Sequence, residues 1–71
     1  MMAWNPKPKV ADCRELARRW GNKDEIIVLA IDEAYGTIEM ATYGRTRALC
    51  AKAKELGDAA FEAVVQRYGV E

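Results

Sequence analysis

The sequence predicts an α+β fold whose elements follow the order helix, strand, strand, helix. Three observations indicate it: an apolar stripe at helical spacing near the start, two strand-like segments joined by a turn, and a second helical stripe that follows them. The 71 residues suffice for one domain, 1–71, in which residues 1–7 form an N-terminal arm. Hydrophobic residues make up 51% and charged residues 31%, a balance typical of a globular chain rather than a disordered one.

The first predicted helix follows the arm. Its apolar stripe consists of five side chains at helical spacing: Val10, Cys13, Leu16, Ala17 and Trp20. Trp20 completes this stripe and is expected in the core. The Gly21-Asn22 step favours the left-handed backbone that ends a helix.

Two β-strands are predicted next. Residues 26–31 are six consecutive apolar residues, four of them β-branched, which is typical of a strand covered on both faces. Residues 32–36 supply hairpin chemistry, with Gly36 available for a positive φ. Residues 37–43 form the second strand, in which alternate side chains share a face.

A second helix is predicted after Gly44, with Thr46 as its N-cap. Its stripe contains Leu49, Ala53, Leu56, Ala60 and Val64, and is widened by Phe61, Val65 and Tyr68. Gly57 leaves two alternatives open. It either ends one helix before another begins at Asp58, or lies inside a single helix at a cost of about 1 kcal/mol.

The packing of these elements predicts association. Both helices are expected on one face of the antiparallel hairpin, although the first strand has apolar side chains on both faces. A partner copy would then complete the sheet or cover its second face, so the chain is predicted to be a homo-oligomer, a dimer or larger. The residues expected at this interface are Trp4, Ile26, Val28, Leu29 and Ile31.

The charges balance overall but are segregated along the chain. Eleven Lys and Arg offset eleven Asp and Glu, which argues against a strongly basic nucleic-acid module and leaves nucleic acid as a less favoured partner. Residues 24–43 carry five acidic residues and no basic one, whereas residues 1–23 carry six basic residues and two acidic ones. The hairpin is therefore expected to be acidic and the helix starts basic. Solvated faces are the simpler interpretation of this pattern, and recognition surfaces are the sharper one.

The composition also excludes several kinds of chemistry. The chain has no His, so Ser-His or Cys-His catalysis and His-ligated metal sites are excluded within one chain. Cys13 and Cys50 are predicted to be reduced thiols of a cytoplasmic protein, with a disulfide between the helices as the alternative. No apolar run approaches the roughly 18 residues that span a bilayer. We predict a binding protein rather than an enzyme, with no cofactor, metal or membrane partner.

The best candidate ligand site lies where the second strand passes into the second helix. A helix start offers unpaired backbone N–H groups and a positive dipole end, which together attract phosphate or carboxylate. The predicted anion-binding residues are Tyr43, Gly44, Arg45, Thr46 and Arg47, joined by Arg14 and Arg18 of the first helix. The plainer interpretation is an ordinary connection, with Thr46 as a helix cap and Tyr43 as a packing residue.

Three short segments resemble a group of small proteins encoded by tailed bacteriophages and prophages: residues 4–6 (WNP), 42–50 (TYGRTRALC) and 57–58 (GD). The resemblance implies expression in the cytoplasm of a bacterial host and carries over no catalytic or binding residue. Phage accessory proteins of this size often inhibit host defence or host enzymes. This analogy suggests a non-enzymatic protein that sequesters a nucleotide signal at the start of the second helix or occludes a host defence protein with its acidic hairpin. The alternatives are a nucleic-acid-binding accessory factor and a virion structural or assembly protein.

Overall fold

The computed structural model describes residues 7–68 and confirms the α+β class and the element order. The elements are α1 (Val10–Arg19), β1 (Glu25–Asp32), β2 (Thr37–Gly44) and α2 (Arg47–Tyr68). β1 and β2 form an antiparallel hairpin around a turn at residues 33–36, in which Gly36 has a φ of 69° as predicted. We call this turn end of the hairpin the tip. The opposite end, where Glu25 pairs with Gly44, is the base.

α1 packs on one face of the hairpin. Cys13 and Ala17 form a buried cluster with Ile26 of β1 and Ala41 of β2. Ile26 pairs with Tyr43, which is two residues from Ala41, so these strand residues point to the same side. We call the side of the sheet that carries Ile26, Ala41 and Tyr43 the α1 face.

α2 packs on the other face, so the expectation of both helices on one face is wrong. A Cβ built on Gly57 would lie 2.7 Å from Cγ2 of Thr42 and 3.0 Å from Sδ of Met40. Thr42 and Met40 point away from the face of Ala41, because successive strand residues alternate. Within residues 7–68, no Cα of α1 comes within 8 Å of a Cα of α2. The chain therefore forms three layers: helix, hairpin and helix.

This arrangement explains the doubly apolar first strand without a partner copy. Ile26 and Val28 face α1, whereas Leu29 pairs with Met40 on the α2 face. One chain thus covers both faces of its own hairpin. The two-sided apolar character of β1 therefore gives no support to an oligomer.

α2 is continuous through Gly57, which decides between the two alternatives left open by the sequence. Gly57 and Ala53 are the buried residues of this helix and lie one turn apart. Gly57 lacks a side chain, so the helix axis approaches Met40 and Thr42 closely.

α1 terminates where the sequence predicts, but the apolar residues at its first and last turns are not in the core. Gly21 and Asn22 have φ values of 90° and 59°. The N–H of Lys23 donates to the carbonyl oxygen of Ala17 at 3.1 Å, which satisfies an end carbonyl of the helix. Val10 is 51% exposed and Trp20 is 55% exposed, so the expectation of a buried Trp20 is wrong. Val10 is the first helical residue and Trp20 the C-cap, and only the middle of the stripe is buried.

The buried apolar side chains of the described chain are few and small: Cys13, Ala17, Ile26, Ala41 and Ala53. Each buried CH₂ group contributes about 0.8 kcal/mol, so this core gives limited stability. Partly buried Leu16, Val28 and Tyr43 extend it on the α1 face. A domain this small has marginal stability, so association between copies stays a prediction.

Candidate functional site

The predicted anion site lies at the base and is built as a tight helix start. Gly44 is required because a Cβ there would collide with the backbone of Leu49 and Cys50. Thr46 is the N-cap: its Oγ1 accepts a hydrogen bond from the N–H of Leu49 at 3.1 Å. Its carbonyl oxygen accepts from the N–H of Cys50 at 2.7 Å. The cap predicted at Thr46 is confirmed.

Arg45 is paired within the chain. Its Nη2 lies 2.7 Å from Oδ1 of Asp24, and its backbone N–H donates to the Asp24 carbonyl oxygen at 2.9 Å. Both side chains are more than half exposed, so the ion pair contributes at most about 1 kcal/mol. The pair nevertheless places a carboxylate beside the start of α2. Any anion at this place would compete with Asp24 for Arg45.

A second carboxylate lies at the same end. Glu25 pairs with Gly44 and so points to the α2 face, where its Oε1 is buried without a hydrogen-bond partner in the described chain. A buried carboxylate oxygen repels an incoming anion more strongly than an exposed one does. Arg47 has no carboxylate within 4 Å among residues 7–68 and is the guanidinium that stays available at this helix start.

The structure does not bring the other predicted anion-binding residues to this point. Tyr43 packs against the α1 cluster, on the face opposite Gly44 and α2, which agrees with its interpretation as a packing residue. Arg18 pairs with Glu15 one turn earlier on α1, with Nη2 2.5 Å from Oε2. The hydrogen bond from Arg18 lowers the pKa of Glu15, and the same contact raises the pKa of Arg18. Arg14 is exposed on α1, across the hairpin from α2.

The residues predicted at an oligomer interface are partly used within the chain. Ile26 is buried beneath α1, and Val28 and Leu29 are half-buried on opposite faces of the sheet. Ile31 is 43% exposed and stays available to a partner. Trp4 lies outside the described residues. Homo-oligomerisation itself stays a prediction.

A cleft at the tip is the feature that sequence reasoning missed. It has a volume of about 300 Å³ and is lined by Ile31, Asp32, Glu33, Gly36, Thr37, Ile38 and Tyr68. Ile31 and Ile38 pair across the hairpin on the α2 face and supply its apolar part. Tyr68, the last residue of α2, donates a hydrogen bond from its hydroxyl to Oε2 of Glu33 at 2.8 Å. The cleft thus joins the turn to the end of α2.

The length of α2 is the signal that could have found this cleft. A helix of 22 residues is about 33 Å long, whereas a strand of eight residues is about 26 Å long. A helix that starts at the base and runs back along the hairpin must therefore reach the tip. The two apolar residues next to the turn, Ile31 and Ile38, then meet its last aromatic residue.

The tip is both acidic and apolar at its surface. Ile31 is 43% exposed, Tyr68 48% and Tyr35 62%. Asp32 and Glu33 have no Lys or Arg within 4 Å in the described part of the chain. The hydrogen bond to Glu33, together with its negative charge, raises the pKa of Tyr68. The tip is therefore where exposed apolar side chains lie beside carboxylates that have no basic partner among the described residues.

Other kinds of site find little support in residues 7–68. No three His, Cys, Asp or Glu side chains there gather closely enough to hold a metal ion. Neither described helix combines the length and apolarity needed to cross a bilayer. Cys13 is buried and Cys50 exposed, and both are free thiols. Desolvation, with a smaller contribution from Asp12, raises the pKa of Cys13, which disfavours its reactive thiolate form.

The fold is a small α+β domain in which a helix lies on each face of one hairpin. No protein-family model, curated protein or solved structure matches this chain.

Proposed function

We propose that the protein is a non-catalytic binding protein of bacteriophage origin that counters an antiviral defence of its bacterial host. It acts in the host cytoplasm by covering a surface of a host defence protein with the tip of its hairpin. The phage origin and the location rest on the resemblance carried by residues 4–6, 42–50 and 57–58. The mode of action rests on the tip.

The observation that supports this mode is a contrast between the two ends of the hairpin: the chain itself engages the polar groups of the base, whereas the carboxylates of the tip have no basic partner among the described residues. At the base, Arg45 is paired with Asp24 and the hydroxyl of Thr46 caps α2. At the tip, Glu33 has no basic partner within 4 Å among the described residues and lies beside the exposed Ile31 and Tyr68. Exposed apolar side chains rimmed by polar groups are typical of protein-binding surfaces.

The same contrast favours occlusion of a protein over sequestration of a nucleotide. A nucleotide phosphate at the base would meet Asp24 and the buried Oε1 of Glu25, with Arg47 as the one available guanidinium of this helix start in the described structure. The ring of Tyr43, which would stack on a nucleobase, packs on the α1 face instead. Sequestration and virion assembly are kept as outcomes of the tests.

The proposal is tested by phage plating on bacteria that each carry one defence system and express the protein from a plasmid. We expect the wild-type protein to restore plaque formation against at least one system. The Glu33→Lys/Tyr35→Ala variant should lose this effect, because it reverses a charge and removes an exposed ring at the tip. The base variant Arg45→Ala/Arg47→Ala is the matched control and should keep the effect.

Three other results would each overturn the proposal. Loss of protection in the base variant with retention in the tip variant would assign the activity to an anion site. Absence of protection against every defence system would reject the anti-defence role. Detection of the protein in purified virions by mass spectrometry, with no protection, would favour the assembly alternative.

A further inference from the structure

The tip cleft has a size that suits one long side chain. Pockets that hold small molecules are about 300–1,000 Å³, and this cleft, at about 300 Å³, lies at their lower limit. Its lining combines the paired apolar side chains of Ile31 and Ile38 with the acidic Glu33. An occupant that fits this lining has an apolar stem and a polar end.

The charge of the tip selects a cationic end. Among the described residues no Lys or Arg lines the cleft, and residues 24–43 carry five acidic residues and no basic one. A cleft with apolar walls and charges of one sign concentrates ions of the opposite sign. Carboxylate ligands and phosphates are therefore disfavoured there, and a basic side chain is favoured.

Tyr68 makes the cleft more suitable for a guanidinium than for an ammonium. Its hydroxyl donates a hydrogen bond to Oε2 of Glu33. Among the described residues no other group donates to this carboxylate, so Oε1 can accept a hydrogen bond from a ligand. Tyr68 is 48% exposed, and its hydroxyl contacts this carboxylate. A planar guanidinium can stack on such a ring while donating to a carboxylate, whereas an ammonium acts as a point charge.

We propose that the tip cleft binds an arginine side chain on the surface of the partner protein. The aliphatic part of the arginine lies on the paired side chains of Ile31 and Ile38, and its guanidinium lies against Tyr68 and donates to Glu33. This inference deepens the proposed function, because it takes the existence of a protein partner from there and adds the chemistry of its contact residue. A second copy of this chain, presenting one of its own arginines, is an outcome that the test distinguishes.

The test is a titration of the isotopically labelled full chain, followed by NMR, with the capped amino acids N-acetyl-arginine amide, N-acetyl-lysine amide and N-acetyl-glutamine amide. The arginine compound should move the resonances of Ile31, Gly36 and Thr37 in a saturable way. A dissociation constant on the order of 1 mM is expected for so small a ligand. The lysine compound should bind more weakly, and the glutamine compound should leave these resonances unchanged.

Two variants locate the contact. Glu33→Gln should weaken arginine binding by about fivefold, as expected for the loss of one exposed ion pair. Tyr68→Phe keeps the ring on which the guanidinium stacks and removes only the hydrogen bond that orients Glu33. It should therefore weaken arginine binding less than Glu33→Gln does. Glu55→Gln, which removes an exposed carboxylate on α2, is the matched control and should bind as the wild type does. An unchanged spectrum outside the tip verifies the fold of each variant.

Several results would contradict the inference. Equal shifts with the lysine or glutamine compound would overturn the assignment to arginine, and unchanged affinity in Glu33→Gln would overturn the contact. Tip shifts that depend on protein concentration without any ligand would assign the cleft to a second copy. If arginine fails to bind while the tip variant still loses anti-defence activity, the cleft inference fails and the proposed function stands. If arginine binds while the tip variant keeps its activity, the cleft inference stands and the proposed function fails.

Discussion

At the base of the hairpin, the groups that resemble a ligand site are engaged by the chain itself. Thr46 caps α2, Arg45 pairs with Asp24, and Gly44 makes room for the first turn of the helix. At the tip, Glu33 faces a cleft, and the one hydrogen bond that it accepts in the described structure comes from Tyr68. The sequence places its best candidate ligand site at the base, whereas the structure has a cleft at the tip.

The difference shows which kind of neighbour decides the role of a short motif. A strand, a glycine and a capped helix start look the same in sequence whether they hold a phosphate or only make a connection. The deciding residue here is Asp24, which reaches Arg45 because it continues the register of the hairpin. The tip depends in the same way on Tyr68, which lies 35 residues from Glu33.

The largest effect is expected from the two glycines that lie at opposite ends of the hairpin. Gly44→Ala places a Cβ on the backbone of Leu49 and Cys50, which cannot move without displacing α2, so it should cost about 3 kcal/mol or more. Gly36→Ala has open space around the new Cβ but a φ of 69°, and should cost about 1–2 kcal/mol. Urea unfolding followed by circular dichroism compares them. Equal costs would show that the base is less tightly packed than described.

Gly57→Ala tests the contact between α2 and the sheet. Alanine improves the helix propensity by about 1 kcal/mol, but its Cβ would lie 2.7 Å from Cγ2 of Thr42. Because Thr42 is β-branched and stiff, we expect a net loss of about 1–2 kcal/mol in the free energy of unfolding. The double variant Gly57→Ala/Thr42→Ser removes the clashing methyl group and should recover most of this loss. Failure of the second change to help would place α2 differently on the sheet.

The local features of the fold were predictable, whereas the arrangement of layers was not. Gly36 in the turn, Gly21-Asn22 at the end of α1 and the Thr46 cap each depend on a few neighbouring residues, and all three are confirmed. The sequence also predicts the two-sided apolar character of residues 26–31, but it does not show that α2 rather than a partner copy covers the second face. Periodicity shows that a face is buried and does not show which element buries it. Here the short connection through Gly44 carries α2 to the face that α1 leaves free.

The candidate site was harder to predict because exposure at element ends does not follow periodicity. Trp20 and Tyr68 both complete a helical stripe, yet they are 55% and 48% exposed. Trp20 is a C-cap residue whose backbone has left the helix, and Tyr68 ends a helix that reaches the turn. Only the assembled chain brings Tyr68 to Glu33.

A smaller effect distinguishes the two arginines at the base. Arg45→Ala removes the pair with Asp24 and should lower stability by at most about 1 kcal/mol. Arg47 lies in the first turn of α2 with no carboxylate within 4 Å in the described chain, where a cation opposes the helix dipole. Arg47→Ala should therefore raise stability by about 0.3–1 kcal/mol. Thermal unfolding at low salt measures both, and the two shifts should shrink at high salt. Shifts of the same sign would contradict the pairing described for Arg45.

The smallest effect concerns the ionisation of Tyr68 at the tip. The hydrogen bond to Glu33 raises the pKa of Tyr68 above its value in the unfolded chain, which is about 10. A raised pKa in the folded state means that the contact stabilises the fold fully below pH 10. Its contribution is lost as the pH rises through the pKa of the folded state. Ultraviolet titration of the phenolate should show that Glu33→Gln lowers the pKa of Tyr68 towards its usual value, because the negative charge is removed. Glu55→Gln, with its carboxylate on the exposed side of α2, should leave the titration of Tyr68 unchanged. An identical titration in Glu33→Gln and wild type would mean that the two side chains do not meet in solution, and the cleft would then lack the side that Tyr68 provides.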